Sequence, residues 1–330
     1  MPRRRRVRRS PIRRKVNRAR MARRRGGCFP LVILAIILLF VGVFISYQQR
    51  PDWFEWTAMF RTPRFEWLNE PHQAHGELTV TFIDVGQGDS VFIRHSDGTT
   101  MLIDAGDHRL RSGERIIEYL QGLGVSRIDY MVGTHPHADH IGGMEFLIRN
   151  MEVGQILMPN VQHNTLTFER LMDAIAQVGL TVRTPRAGER IALGGAEVTV
   201  LSATNPAGNR ELNDYSIVLK VRFGEHSFLF TGDGEHPLEG ALVDAGMNIS
   251  ATVLDVGHHG STTSTGEEFL RRVSPEIAVI QVGANNGHGH PHRAVLNRLE
   301  AHDVRVYRTD LNGNVRITTD GAVKQVNTQR

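Results

Sequence analysis

Four side chains able to hold a divalent cation fall within six consecutive positions: His135, His137, Asp139 and His140, in the run Thr134-His135-Pro136-His137-Ala138-Asp139-His140. In a surface loop, three imidazoles and a carboxylate would each need separate solvation or a hydrogen-bond partner. Convergence on a pair of divalent ions satisfies all four at once. The His-x-His alternation sends two rings to one side of an extended turn, and the Asp-His pair after it faces a second position a few ångströms away. Zinc suits these nitrogen and oxygen donors, and manganese or iron also accepts them. The competing reading is a solvated histidine-rich loop. The apolar run Ile128 to Val132 before the cluster and Gly142-Gly143 after it favour metal chemistry.

One loop cannot complete two ion sites, so further ligands are expected at other strand ends. The run Phe228 to Thr231 ends in Gly232-Asp233, placing Asp233 where it can bridge two ions. Leu254 to Val256 leads into Gly257 and the paired His258 and His259. The single cysteine, Cys28, excludes an intramolecular disulfide and any thiolate zinc cluster, so ligation falls to His, Asp and Glu.

The elements that must position these residues read as short strands between glycine turns: Leu78 to Asp84, Ser90 to Arg94, Thr100 to Asp104 and Ile128 to Val132. Later strands are expected at Gln155 to Met158, Glu197 to Ser202, Tyr215 to Phe223, Ser227 to Thr231, Thr252 to Val256, Ile277 to Val282 and Val304 to Tyr307. Helical patterns fit Glu114 to Leu123, Phe168 to Val178, Pro237 to Ala245, Glu267 to Val273 and Pro291 to His302. Strands that come first as hairpins and then alternate with helices suit two sheets packed face to face with helices outside, an αββα sandwich of the α/β class.

The charge is divided unevenly. Residues 1–25 hold 14 Lys and Arg and no acid, leaving 25 basic residues against all 35 acidic ones, about −10, in the rest. After this basic tail (1–27), residues 28–47 carry no charge and are dominated by Leu, Ile, Val and Phe. At ~1.5 Å per residue they span the ~30 Å hydrocarbon core. The run ends without a small-x-small cleavage pattern, which favours an uncleaved anchor over a signal peptide. The arginines before it place the N-terminus in the cytoplasm next to anionic lipid, and the remainder on the outer face of the cell membrane. Trp53, Trp56 and Trp67, with Phe54, Phe60 and Phe65, suit either a membrane interface or packing against the domain. They belong to an aromatic juxtamembrane segment and linker over 48–76. A hydrolytic domain is expected over 77–320 and a tail over 321–330.

With these residues in view, the chain from about 78 to 318 resembles the metallo-β-lactamase superfamily. More closely, it resembles the metallo-hydrolase domain of the ComEC-type DNA-uptake (competence) proteins. The resemblance rests on Ile83 to Ser90, Leu102 to Gly106, Thr134 to His140, Asn213 to Ser216, Phe230 to Asp233, His258 to Ser261 and Gly289-His290-Pro291, in the family's order. It implies a four-layer sandwich with His135 and His137 on one metal, Asp139 and His140 on the other, and Asp233 between them. His259 completes the second site, with His258 as a ligand or transition-state contact. Two departures stand out. The third histidine that many members place between the first cluster and the bridging aspartate has no match in His163 or His226, leaving Asp214 as a possible substitute and counting against a lactamase. A ComEC domain also normally follows a many-helix channel, and this chain has a single span.

Two ions ~3.5–4 Å apart lower the pKa of a water between them and offset charge on a phosphoryl oxygen, which suits phosphodiester hydrolysis by the bridged hydroxide. Asp139, His258 and His290 are the expected catalytic groups, with either imidazole orienting substrate or protonating the leaving alkoxide. Asp84, Gln87, Asp89 and Asp104 are expected as braces behind the ligands, with Asp214, Ser216 and Ser261 beside them or at the substrate. His288 and His292 read as solvated loop residues. The substrate expected is DNA or an envelope phosphodiester. The rivals are a thioester, lactone or lactam hydrolase on the same metals, and a non-catalytic metal-binding accessory of DNA uptake or the cell envelope. An acidic domain argues mildly against strong DNA affinity, with Arg183, Arg186 and Arg190 as the local exception.

Overall fold

In the computed structural model the described residues are 74–330, apart from 206–207 and 209–210. The expected span at 28–47 and the aromatic residues up to Trp67 lie outside them. Among the described residues no helix is long and apolar enough to cross a membrane.

Period-two alternation of large apolar side chains builds the centre of the molecule. Leu78, Val80 and Phe82 of β1 (Leu78–Phe82) meet Phe228 and Phe230 of β10 (His226–Phe230) in one core between two sheets. Leu229, pointing the other way from the same strand, enters a different core beneath helices. Central strands are covered on both faces, which is why they read as continuous apolar runs.

The first sheet has eight strands: β1, β2 (Val91–His95), β3 (Thr100–Ile103), β4 (Arg127–Val132), β5 (Glu152–Leu157), β6 (Val182–Arg183), β14 (Val315–Thr319) and β15 (Lys324–Thr328). Their order is β15-β14-β1-β2-β3-β4-β5-β6. The second has seven: β10, with β7 (Arg190–Leu193), β8 (Ala196–Ser202), β9 (Val218–Phe223), β11 (Val253–Asp255), β12 (Ile277–Ile280) and β13 (Arg305–Arg308), ordered β13-β12-β11-β10-β9-β8-β7. In each sheet one half is antiparallel and the other parallel, β3 to β6 in the first and β10 to β13 in the second. Helices α1 (Ser112–Gly122), α3 (Met144–Asn150) and α4 (Leu166–Gln177) cover the first sheet through Ile116, Leu147 and Leu171. Helices α5 (His236–Asp244), α6 (Glu267–Val273) and α7 (Arg293–Ala301) cover the second through Leu238, Leu270 and Leu299. A short α2 (Ala138–Ile141) follows β4, and α8 (Thr309–Asn312) follows β13. The architecture is the expected four-layer αββα sandwich.

Three local differences bear on the site. His137, itself extended, is the N-cap residue of α2, so Asp139 and His140 sit in a helical turn that the sequence does not mark. The strand expected from Tyr215 begins at Val218, because Asn213–Tyr215 closes a 3-10 turn. Half of 321–330, set apart in sequence as a tail, forms edge strand β15 against β14.

Candidate metal centre

The ligand candidates gather outside the carboxyl ends of parallel strands, where an α/β sheet opens a crevice. β4 leads to His135 and α2, β10 to Asp233, and β11 to His258 and His259. His135 Nε2 lies 2.9 Å from His137 Nδ1 and 3.8 Å from Asp233 Oδ2. His140 Nε2 lies 3.2 Å from Asp233 Oδ1, and His259 Nε2 lies 3.3 Å from Asp139 Oδ2 and 3.7 Å from Asp233 Oδ1. Two groups result, His135-His137-Asp233 and Asp139-His140-Asp233-His259, which share Asp233.

The backbone is strained to make this convergence. His258 and His259 are consecutive left-handed residues, with φ of 51° and 55°, at about 1–3 kcal/mol each. Gly88, at φ +125°, lets the 86–89 loop press on the α2 turn; a Cβ there would stand 2.2 Å from the Asp139 carbonyl oxygen.

Hydrogen bonds fix the tautomer of three imidazoles. His140 donates Nδ1–H to Asp104 Oδ2 at 2.8 Å. His259 donates Nδ1–H to the Gln281 carbonyl at 3.0 Å, with Asp89 Oδ1 3.1 Å away. The Thr134 hydroxyl donates to Asp104 Oδ2 at 2.7 Å and so offers its oxygen to His135 Nδ1–H at 3.2 Å; Ser216 Oγ is 3.4 Å from the same nitrogen. Each ring therefore turns Nε2 toward Asp233, the arrangement in which a carboxylate or carbonyl behind a histidine orients it for a metal. His140 Nε2 and Asp233 Oδ1 are both buried without a hydrogen-bond partner. Two orphaned buried acceptors, an imidazole nitrogen and a carboxylate oxygen, facing a common space fit a divalent cation.

The charges support the same fit. Burial works against ionising Asp233, yet His140 and His259 outweigh it and hold the carboxyl well below its usual range. Burial likewise opposes a charge on His140, but Asp233 and Asp104 push its pKa well above the ordinary value; His259 is raised in the same way by Asp233 and Asp89. His135 is held well below it by burial and by His140, and His137 is lowered for the same reasons. The first group thus offers neutral nitrogens, while the second carries protons that a cation displaces.

Residues 83–283 match the family described as the Metallo-beta-lactamase superfamily. The chain belongs to that superfamily. It is 35% identical over 257 residues to ComE operon protein 3 of Bacillus subtilis (strain 168), covering 72% of this chain and 33% of that protein. It is 34% identical over 241 residues to competence protein ComA of Neisseria gonorrhoeae, covering 72% of this chain and 32% of that one. The chain thus spans about a third of the length of these relatives. Among solved structures, the metallo-beta-lactamase fold protein YhfI of Bacillus subtilis aligns with a TM-score of 0.48 at 12% identity, over 76% of this chain and all of that one.

In this metallo-β-lactamase superfamily chain, the remaining expected site residues divide into those that face the site and those that do not. Asp104 and Asp89 stand behind His140 and His259 as described, and Gln87 accepts from Gly283 N at 3.2 Å while its Nε2 is buried without a partner. Asp84 braces a turn instead of a ligand, accepting from Gly86 N and pairing with Arg330. Asp214, the suggested substitute for a third histidine, is outside both ligand groups and accepts from Glu235 N at 3.1 Å. Its neighbour Asn213 lines the cavity over the site. Ser261 Oγ sits 3.0 Å from Thr263 Oγ1. His290 is 5.6 Å, ring to ring, from His258, and burial together with His259 lowers its pKa to about 4. A ring biased toward its neutral form suits orienting a substrate better than protonating a leaving oxygen. His288 is exposed in its loop, as expected, and lines the cavity, while the half-buried His292 accepts from Thr262 N. His226 opens β10 and bonds Thr319 Oγ1 at 2.8 Å, while His163 stacks edge-on 5.8 Å from His137. Arg183 and Arg190 pair with Glu189 and Glu197, and none of the expected basic trio lines the cavity.

One functional candidate is absent from the sequence reading. Glu235 Oε1 lies 3.3 Å from His258 Nδ1 and accepts from Asn213 Nδ2 at 3.2 Å. It steadies an imidazole whose Nε2 is 3.7 Å from Asp233 Oδ2. A glutamate just ahead of a helix reads as an ordinary first-turn acid, and only its place two residues past Asp233 hinted otherwise.

Proposed function

We propose that the chain is a membrane-anchored phosphodiesterase that works with two divalent ions, zinc first among them and manganese or iron as alternatives. The observation that carries this reading is the pair of ligand groups sharing Asp233, with the His258 imidazole beside them in the same cavity of about 660 Å³. When bound, such ions lower the pKa of a water toward neutrality and offset charge on phosphoryl oxygens. His135 and His137 would hold one, and Asp139, His140 and His259 the other, with Asp233 between.

The chain's own groups supply the rest. Water attacks phosphorus and releases one proton to solvent, the bond to the leaving oxygen breaks, and that oxygen takes up a proton. With Nδ1 directed at Glu235 and Thr263, His258 turns Nε2 to the cavity, the position from which an imidazole orients the substrate or hands a proton to the leaving oxygen. Asp139 is held below its usual range: burial raises it, and the hydrogen bond from His259 with the charges of both imidazoles overcomes that. It stays an acceptor throughout and orients a water proton. The names of the relatives, competence and recombination proteins, support DNA as the substrate over an envelope phosphodiester. Residues 28–47 would anchor the domain on the outer face.

The full chain, loaded with Zn2+ or Mn2+, is expected to hydrolyse bis(p-nitrophenyl) phosphate and single-stranded DNA. Cleavage confined to thioesters, lactones or lactams would replace this reading, and two tightly bound ions without turnover on any substrate would make the chain a binding accessory. External protease on intact cells should digest the C-terminal domain; digestion only after permeabilisation would reverse the orientation.

A further inference from the structure

We infer that Arg109 forms a second anion subsite at the cavity mouth, which takes a phosphate neighbouring the scissile one. This deepens the phosphodiesterase reading and rests on it. The substrate class it selects is a strand of successive phosphodiesters, in preference to an isolated one.

The subsite is built by a loop tied to the ligands themselves. Ala105 N donates to the His140 carbonyl at 2.7 Å, Gly106 N to the Asp89 carbonyl at 2.9 Å, and Gly143 N to the Gly106 carbonyl at 3.1 Å. A side chain carried on this loop therefore keeps its place relative to the candidate ligands. Arg109 lines the same cavity as His137, Asp139 and Asp233. Among the described residues it makes no hydrogen bond or ion pair with any of them.

Its guanidinium is held at one edge and open at the other. Nε donates to Asp107 Oδ2 at 2.8 Å and Nη2 to the same oxygen at 2.5 Å, while the Arg109 backbone N–H donates to Asp107 Oδ1 at 2.8 Å. The Asp107 side chain is 6% exposed and that of Arg109 is 74% exposed. Asp107 thus acts as a buried clamp, and the edge formed by Nη1 and the second Nη2 hydrogen is left to the solvent side. That edge matches two oxygens of a phosphate. Asp107 also keeps the guanidinium charged, raising its pKa through the hydrogen bonds and the carboxylate charge. Because Arg109 and the candidate ligands His137, Asp139 and Asp233 line one cavity, a phosphate on the open edge and the scissile one would be held separately. The Arg183, Arg186 and Arg190 group cannot play this part, because it does not line the cavity.

The test measures binding of a hydrolysis-resistant, phosphorothioate-linked dithymidine dinucleotide, with and without a 5′-phosphate, to the metal-loaded full chain by calorimetry. Wild type should bind the phosphorylated form about tenfold more tightly, the range of one charge-assisted phosphate contact. Arg109→Gln should bind both forms equally, and Arg109→Lys should restore part of the preference without the fork. The basic N-terminal tail is common to all three proteins and cannot create the difference between them. A preference retained in Arg109→Gln, or absent in wild type, overturns the subsite. An Arg109-dependent preference in a chain that hydrolyses no phosphodiester upholds the subsite and rejects the enzyme reading, whereas hydrolysis without the preference does the reverse.

Discussion

Asp104→Asn should loosen one ion and spare the other, through a change of tautomer. Asp104 is 1% exposed. Its Oδ1 accepts from Thr134 N at 2.8 Å, and its Oδ2 accepts from both the Thr134 hydroxyl and His140 Nδ1–H. Asparagine tolerates the left-handed φ of 58° at this position and its carbonyl can keep the bond to Thr134 N. The amide nitrogen then stands where Oδ2 stood, a donor facing two donors. The least costly relief moves the His140 proton from Nδ1 to Nε2, the atom 3.2 Å from Asp233 that would hold the ion. Removing a group that orients a ligand histidine typically costs about 10–100-fold in metal affinity, or roughly 1.4–2.7 kcal/mol. Competition against a fluorescent chelator should show one ion weakened by this amount and the ion on His135 and His137 little changed. Unchanged affinity for both ions would refute the tautomer argument, and equal loss of both would point to collapse of the fold around Thr134.

Asp233→Ala removes the shared carboxylate and should abolish stoichiometric binding at both groups, whereas His137→Ala should chiefly affect one; elemental analysis finding two ions in purified Asp233→Ala would exclude the bridging role. Because His140 and His259 carry raised pKa values without metal, ions must displace their protons, so apparent Zn2+ affinity should climb as pH rises from 6 through those raised values, with protons released on binding. In the metal-free chain the same raised values contribute stability that is complete below about pH 6.5, the unfolded histidine value, and is lost as pH rises through the folded ones. Asp255, raised well above its usual range by burial and by Asp89, acts in the same direction, whereas the lowered His135 and His137 act oppositely only below the unfolded histidine value, so above about pH 6.5 the metal-free melting temperature should fall with rising pH; a flat or rising profile there would count against this. Gly88→Ala should destabilise by about 1–3 kcal/mol and weaken the ion at Asp139, since its Cβ meets the Asp139 carbonyl; an unchanged melting temperature and ion affinity would show that the 86–89 loop can move aside.

Residues whose chemistry is concentrated in sequence were legible before the structure. The cluster from His135 to His140 advertises itself, and Asp233 and His259 follow from apolar strands that end in glycine turns. The long alternating strands and amphipathic helices were also readable, because burial on defined faces imposes their periods. What stayed hidden depends on tertiary direction. Asn213 and Asp214 are neighbours in one 3-10 turn, and only the folded backbone shows that Asn213 lines the cavity while Asp214 turns to Glu235 N. Arg109 is one arginine among many until Asp107 clamps it. Strand β15 has an edge-strand burial pattern with few covered positions, so its sequence carries little apolar periodicity. Helices α2 and α3 are too short, and too close to Gly142 and Gly143, to give a helical signal.

The most direct measurement is a titration of metal-free full chain with Zn2+ while hydrolysis of bis(p-nitrophenyl) phosphate and bound metal are followed together. Shared ligation by Asp233 and a phosphodiesterase role require the rate to rise until two ions are bound per chain and then level off, and require His259→Ala to lose about 10²-fold or more. Two bound ions with no turnover, or a full rate with only one ion bound, would contradict a two-ion phosphodiesterase.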